Sequence, residues 1–351
     1  MSMLTHLPAP LAPPVLGLGL AVASAAWFTV SYVGSLYLSP AGRLNGGVDA
    51  DGVPLDRDHP VVIRSRIRTA SAATALSLVC AGALLKRAIP PSVSFGRLFH
   101  ESITADTMLL DSQGWLLDTL NIGRLLGLVL PVPTLLTSNT LPLAPPLLSY
   151  IGSLSVHMAA PLLLTSLLYL GPLLTRFLDR ELPFQRHFDL HTDLVVKFTS
   201  LAGVRNFLVG PATEELVFRA SLLPPHFFAG VSRAKLVLAT PAFFGIAHVH
   251  HAYNVYLGGG RTRSAAIRGA LTAAAQFLYT TAFGWYANLL FLRAGSVVAP
   301  TAAHVLCNVL GLPNPAADAQ RHPTKSTRKS HWPQPVFVQP LLNLWRHCAI
   351  G

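Results

Sequence analysis

Residues 214–219 read Glu214-Glu215-Leu216-Val217-Phe218-Arg219, and this stretch decides how the chain must fold. It lies within a strongly apolar part of the sequence. Each ionisable side chain costs about 2.5–3.5 kcal/mol at the centre of a membrane helix, so the fold must satisfy all three internally. Helical spacing pairs Glu215 with Arg219 at i,i+4 and leaves Glu214 on another face, where it can act as a base. The alternative is a buried ion pair that only locks two helices together.

Composition places the motif in a polytopic membrane protein. The chain has 351 residues, of which 51% are hydrophobic and 12% charged, and its mean hydropathy is +0.47. A typical soluble domain carries about 25% charged residues. The net charge of +11 comes from 26 basic residues spread over many loops, a pattern that sets membrane topology and does not indicate nucleic-acid binding. The three cysteines form no spacing typical of a disulfide framework or a zinc–thiolate site.

Apolar segments predict an all-α, single-domain protein over residues 1–351, with about eight transmembrane helices and a polar, basic tail from about residue 314. One of the segments is interrupted by two charged residues and two prolines, and another is expected to end at Gly171-Pro172, a helix-stop signature. Arg66 and Arg68 precede the second segment. The predicted segments are 15–38, 69–85, 116–138, 145–174, 198–223, 235–249, 270–292 and 297–312.

Polar side chains also occur in three other apolar settings. Phe244 and His248 share one helix face, and His304 and Asn308 are spaced i,i+4 so that both point one way. Arg205-Asn206 precedes the glutamate pair. Each group has a purely structural alternative: a hydrogen-bonded core histidine, an interhelical hydrogen bond, and a cap or loop charge.

His250 and His251 follow His248 directly. We expect them to mark the point at which this helix meets water.

Taken together, these residues supply the groups needed for water-mediated hydrolysis of an amide. A carboxylate accepts a proton from water, an imidazole orients that water, and a second histidine with an asparagine amide can stabilise the oxyanion. The sequence has no G-x-S-x-G and no H-E-x-x-H motif. No cofactor is therefore favoured, although Glu214, His248 and His304 are also residue types that bind zinc.

At these residues the chain resembles the type II CAAX prenyl endopeptidases, the Ras-converting enzymes of the eukaryotic endoplasmic reticulum. The family's E-E-x-x-x-R, F-x-x-x-H and H-x-x-x-N motifs match residues 214–219, 244–248 and 304–308, in the same order. Other stretches that look like the eukaryotic members are Tyr32-Val33-Gly34-Ser35-Leu36-Tyr37, Arg57-Asp58-His59-Pro60, the region from Arg205-Asn206 to Glu214, and Gln276-Phe277-Leu278-Tyr279-Thr280.

The resemblance implies a multi-pass membrane enzyme that removes the last three residues of prenylated C-a-a-X proteins such as Ras-like GTPases. It implies that Glu214 and His248 activate the water and that His304 and Asn308 stabilise the oxyanion. Supporting roles are implied for Glu215, Arg219 and Phe244. The family is usually viewed as metal-free glutamate proteases.

Two other functions are compatible with the same composition. A non-catalytic scaffold or lipid-binding protein could keep the fold of the superfamily, although loss of a motif residue would be expected in that case and none is lost. A transporter could line a pathway with these polar groups, but no paired interrupted segments occur in two matching halves. The final residues, Cys348-Ala349-Ile350-Gly351, have the C-a-a-X form, but glycine is not a typical final residue for prenylation, so chance is the favoured explanation.

Overall fold

A computed structural model of the protein describes residues 15–43, 48–49, 51–53, 55–88, 119, 122–128 and 144–313. This part of the chain is all-helical. The helices are α1 (Leu18–Leu38), α2 (Pro60–Ala88), α3 (Ala144–Leu168), α4 (Leu170–Leu178), α5 (His191–Val196 and Lys197–Thr199), α6 (201–228), α7 (Arg233–Leu238), α8 (Pro241–Ala247), α9 (His251–Gly258), α10 (Arg263–Ala294) and α11 (Val298–Leu310).

Two of the described helices, α1 and α2, are long and apolar enough to cross a membrane. A third span exists if α3 and α4 count as one, because they form an apolar pair that bends by 77°. The predicted helix end at Gly171-Pro172 is wrong: the chain breaks at Tyr169, and α4 begins at Leu170. Proline is tolerated there because the first turn of a helix needs no backbone N–H donor. Most of the predicted segment 116–138 and the tail beyond residue 313 lie outside the described residues.

Helices α1 and α2 pack against each other and against α6. Ala21, Ala25, Phe28 and Tyr32 recur at helical spacing on α1 and are buried. The other face of α1 carries exposed apolar side chains such as Trp27, which is 54% exposed. An outward apolar face of this kind suits contact with lipid.

Helix α6 carries the glutamate pair in a short α-helical segment, Gly210–Glu215, between two π-helical turns, Val204–Val209 and Leu216–Ser221. Prolines follow both wide turns. Pro211 and Pro224 have no N–H to donate to the carbonyl four residues earlier, so a regular α-helical ladder cannot continue through them. Such π turns recur at functional sites.

Helix α10 is 32 residues long, and α8 and α9 both pack against it. Thr262 begins it by accepting a hydrogen bond from the backbone N–H of Ala265, and Gly295 ends it in the left-handed conformation with φ of 64°. Small residues allow the close packing, because a Cβ added to Gly284 would lie 2.6 Å from Pro241.

The predicted segment 235–249 forms two short helices, α7 and α8, and not one span.

Candidate active site

A cavity of about 280 Å³ lies between α1, α2, α6, α8, α10 and α11. The four residues expected to be catalytic all line it: Glu214, His248, His304 and Asn308. Phe244 lines it as well. The structure therefore brings together residues from α6, from the end of α8 and from α11, up to 94 positions apart in the sequence.

Glu215 lies behind this lining and connects two other predicted site residues. Its Oε1 accepts a hydrogen bond of 3.1 Å from Nη1 of Arg219 and one of 2.7 Å from Nδ1 of His304. The side chains of Glu215 and Arg219 are both fully buried. The i,i+4 pair predicted from the sequence is confirmed, and it also holds an imidazole of the candidate site.

Arg219 is enclosed by polar and aromatic groups. Its Nε donates a 3.2 Å hydrogen bond to Oδ1 of Asn288, and the amide nitrogen of Asn288 donates to the carbonyl of Leu236 at 2.8 Å. The guanidinium carbon lies 4.6 Å from the ring centre of Phe244 and 5.8 Å from that of Phe283, within the range of cation–π attraction. These contacts fix the Arg219 side chain beneath the cavity.

Glu214 lies beside His304 at the cavity. Its Oε2 lies 3.6 Å from Nε2 of His304, too far for a direct hydrogen bond, and its side chain is 23% exposed. Glu214 forms no hydrogen bond with the described residues. It is therefore the more accessible of the two adjacent carboxylates and the one free to meet a solvent molecule.

His248 is held in one tautomer by its own helix. Its Nδ1 lies 2.7 Å from the carbonyl oxygen of Phe244, which can only accept, so Nδ1 carries the proton. In the neutral ring Nε2 then has a free lone pair. The Phe244 ring packs edge-on against the imidazole with centroids 4.7 Å apart, as the shared helix face predicts.

Asn308 is oriented by the π turn that precedes the glutamates. Its Nδ2 donates a 3.0 Å hydrogen bond to the backbone carbonyl of Asn206. The side chain of Asn206 accepts from Nε of Arg205 at 2.8 Å, and Arg205 also donates to the carbonyl of Arg57 at 2.6 Å and to Asp58 at 2.7 Å. The segment before α2 is thereby connected to the amide of Asn308.

The charge of Arg205 is matched by an ion pair with Asp58. Partial burial favours the neutral form of Asp58, but the hydrogen bond from Arg205 and the charges of Arg57 and Arg205 outweigh it and lower the pKa of this carboxyl group. Arg205 is therefore neither a helix cap nor an isolated loop charge.

The expectation that His250 and His251 mark the entry into water is wrong. Both are partly buried and line the cavity, because α8 ends at Ala247 and the chain turns back into the site before α9 begins. The His250 ring lies 4.0 Å from that of His251 and 5.9 Å from that of Tyr37.

Two residues with structural roles in this region were not among the predicted site residues. Asn288, which holds Arg219, could have been noticed as an amide within an apolar segment. Arg66 lines the cavity although its position before an apolar segment indicated only a basic flank.

Within the described ranges, no three His, Cys, Asp or Glu side chains are arranged to hold a metal ion. The zinc alternative would use Glu214, His248 and His304. Nδ1 of His248 is occupied by a carbonyl and Nδ1 of His304 by a carboxylate. These hydrogen bonds leave Nε2 of both histidines free, a pattern that zinc-bound histidines also show, and the chemistry below uses only groups of the protein itself.

Comparison with known proteins identifies relatives for most of the chain. Residues 197–310 match the family model described as type II CAAX prenyl endopeptidase Rce1-like. The human protein named CAAX prenyl protease 2 is 31% identical over 301 residues, covering 84% of this chain and 71% of the human one.

Other eukaryotes contain proteins that are similar over shorter regions. The Schizosaccharomyces pombe protein named probable CAAX prenyl protease 2 is 38% identical over 153 residues, covering 43% of this chain and 54% of the relative. The Arabidopsis thaliana CAAX prenyl protease 2 is 34% identical over 167 residues, covering 44% and 53%. No solved structure matches the chain. The matched region contains all three motifs that line or support the cavity, and the chain belongs to the Rce1-like family of type II CAAX prenyl endopeptidases.

Proposed function

We propose that this protein removes the C-terminal tripeptide from prenylated C-a-a-X proteins, using a water molecule activated by Glu214 and His248. The observation that carries the proposal is the meeting of Glu214, His248, His304 and Asn308 at one cavity, in a chain whose relatives bear the name CAAX prenyl protease 2. A purely structural ion pair would not require two further polar residues at the same cavity wall.

In the first step Glu214 takes a proton from water as the resulting hydroxide attacks the scissile carbonyl carbon. Glu214 suits this role because its carboxylate forms no hydrogen bond with the described residues, whereas Glu215 is occupied by Arg219 and His304. The lone pair on Nε2 of His248 can accept the second hydrogen of the water and orient it.

The negative charge on the carbonyl oxygen then needs donors. Asn308 uses one N–H on the carbonyl of Asn206 and has a second N–H to offer. His304 donates through Nδ1 to Glu215, so it can also donate through Nε2 only as an imidazolium. An imidazolium there would balance the charges of the cluster, since Glu214 and Glu215 would face Arg219 and His304.

Collapse of the tetrahedral intermediate breaks the C–N bond. Glu214, protonated in the first step, returns that proton to the leaving amine nitrogen. The products are the prenylated protein with a new terminal carboxylate and a free tripeptide. Glutamate is then ready to accept a proton from the next water.

The same proposal includes the wider setting expected from the sequence. The chain would act as one domain of about eight transmembrane helices in the endoplasmic reticulum membrane, with membrane lipid around it and Ras-like GTPases among its substrates. The long apolar helices α1 and α2 support a membrane location.

The test uses detergent-solubilised protein and a farnesylated C-a-a-X peptide, with mass spectrometry of both products. We expect release of an intact tripeptide, unchanged by a chelator, and no release from the same peptide without its farnesyl group. Failure of the folded protein to cleave any prenylated peptide would favour the non-catalytic alternative. Loss of cleavage on chelation would return zinc to the mechanism.

A further inference from the structure

Arg66 is a cation at the cavity that the proposed chemistry does not use. It lies near the start of α2 and lines the same cavity as Glu214. Its Nε donates a 3.0 Å hydrogen bond to the carbonyl of Gly42, and its guanidinium carbon lies 6.0 Å from the ring centre of Tyr37. Gly42 cannot easily be replaced, because an added Cβ would lie 2.7 Å from the carbonyl oxygen of Leu36. The guanidinium is thus anchored along one edge.

The other edge of this guanidinium has no partner in the part of the chain that the structure describes. Neither terminal nitrogen of Arg66 donates a hydrogen bond to the described residues, and Nη2 is buried. No carboxylate of the described chain forms an ion pair with Arg66. A half-buried cation without a counter-ion is costly, so this position favours an anionic ligand.

The two other arginines at the cavity are already paired. Arg219 pairs with Glu215 beneath the cavity, and Arg205 pairs with Asp58 at its edge. Arg66 therefore gives its end of the cavity an uncompensated positive charge. A guanidinium without a counter-ion matches a carboxylate, to which it donates charge-assisted hydrogen bonds.

We propose that Arg66 binds the free α-carboxylate at the C-terminus of the substrate. The proposal rests on the proposed function, in which the substrate must end three residues beyond the scissile bond. That carboxylate is the one anion that every C-a-a-X substrate presents, whatever its side chains. Arg66 would thereby set the length of the fragment that is removed.

Arg66 lines the same cavity as Glu214 and His248, so all three residues can face one bound substrate. A series of ring contacts runs from the Arg66 end to the catalytic histidine: Tyr37 to His250 at 5.9 Å, His250 to His251 at 4.0 Å, and His251 to His248 at 6.2 Å between centroids. The carboxylate subsite and the scissile bond would share this one cavity.

The experiment compares two farnesylated peptides that differ only in ending as a carboxylate or as a carboxamide. Their kcat/KM values are measured for the wild type, Arg66→Gln, Arg66→Lys and Arg68→Gln. Arg68 is an exposed arginine of the same helix and serves as the matched control. The ratio of the two kcat/KM values is independent of the folded fraction, so partial misfolding of a variant does not affect it.

We expect the wild type and Arg68→Gln to favour the carboxylate peptide by about 10- to 100-fold, the range of a charged hydrogen bond. Arg66→Gln should cleave both peptides at the low carboxamide rate, and Arg66→Lys should keep part of the preference because it retains the charge. A wild type that cleaves both peptides equally would overturn the proposal.

Two other results distinguish failure of the proposed carboxylate subsite from failure of the proposed function. An Arg66→Gln variant that keeps the wild-type ratio between the two peptides would overturn the carboxylate subsite while leaving the hydrolysis intact. A wild type that cleaves neither peptide would overturn the proposed function and this subsite with it.

Discussion

Nδ1 of His304 donates a 2.7 Å hydrogen bond to Oε1 of Glu215, the same oxygen that accepts from Nη1 of Arg219. One carboxylate oxygen therefore holds both the buried arginine and the imidazole proposed to stabilise the oxyanion. Glu215 acts through these two groups and does not line the cavity. Its contribution to turnover should come through the position and charge of His304.

Glu215→Gln should accordingly impair folding and turnover together. The change removes the counter-charge of Arg219, and breaking one partner of a buried ion pair costs about 3–5 kcal/mol. We expect a lower yield of folded protein and a lower midpoint of thermal unfolding in detergent. Glu181→Gln, at an exposed glutamate, is the control and should behave as the wild type. An unchanged unfolding midpoint with lost turnover would instead give Glu215 a direct catalytic role.

Glu214→Gln should have the opposite profile. Glu214 is partly exposed and forms no hydrogen bond with the described residues, so replacing its carboxylate with an amide should leave the unfolding midpoint near that of the wild type. Loss of a general base lowers turnover by about 10²–10⁴. Single-turnover rates on a farnesylated peptide measure the effect. Near-normal rates in the folded variant would rule out Glu214 as the base.

Asn308→Ala should reduce kcat more than it raises KM. Removing one oxyanion donor typically costs about 10²–10³ in turnover, because the hydrogen bond strengthens only as the charge develops. Asn308→Asp, which replaces the N–H donors with an acceptor, should be at least as impaired. A pure increase in KM would indicate that Asn308 binds the substrate in its ground state.

Local pairs in this site could be predicted from the sequence, since helical spacing alone brings Glu215 to Arg219 and Phe244 to His248. Contacts between distant segments could not. Glu215 and His304 are 89 positions apart, and only the resemblance to a family suggested that their motifs meet. Local pattern contains no information on which helix faces oppose each other.

The sequence pattern misleads where the chain bends. His250 and His251 were assigned to water because an apolar stretch ends there, but the break after α8 directs them into the cavity. Arg66 was interpreted only as a basic flank. Its role depends on the turn at Gly42, which holds the guanidinium in place from outside α2.

Arg205→Lys tests the connection from the segment before α2 to Asn308. Arg205 uses Nε, Nη1 and Nη2 on three different acceptors, and a lysine cannot reproduce this planar arrangement although it keeps the charge. Asn206 should lose its restraint, and kcat should fall by about 10-fold, or roughly 1.4 kcal/mol. In the Asn308→Ala background the same change should have little further effect, because residues of one hydrogen-bond network are not additive. Full additivity would show that Arg205 acts independently of Asn308.

Gly245→Ala tests the packing that brings the F-x-x-x-H motif to the cavity. A Cβ at Gly245 would lie 2.8 Å from Cδ2 of Phe277 and would also collide with Oγ1 of Thr281, so α8 must move away from α10. Overpacking of this kind costs about 1–3 kcal/mol, and the displacement would carry His248 with it. We expect a lower unfolding midpoint and a lower turnover. Gly34→Ala is the matched control, since it lies within α1 and nothing is within 4 Å of its added Cβ. There the exchange should be neutral or stabilising, because alanine is the better helix former. Equal unfolding midpoints for the two variants would show that α8 and α10 do not need a glycine at their contact.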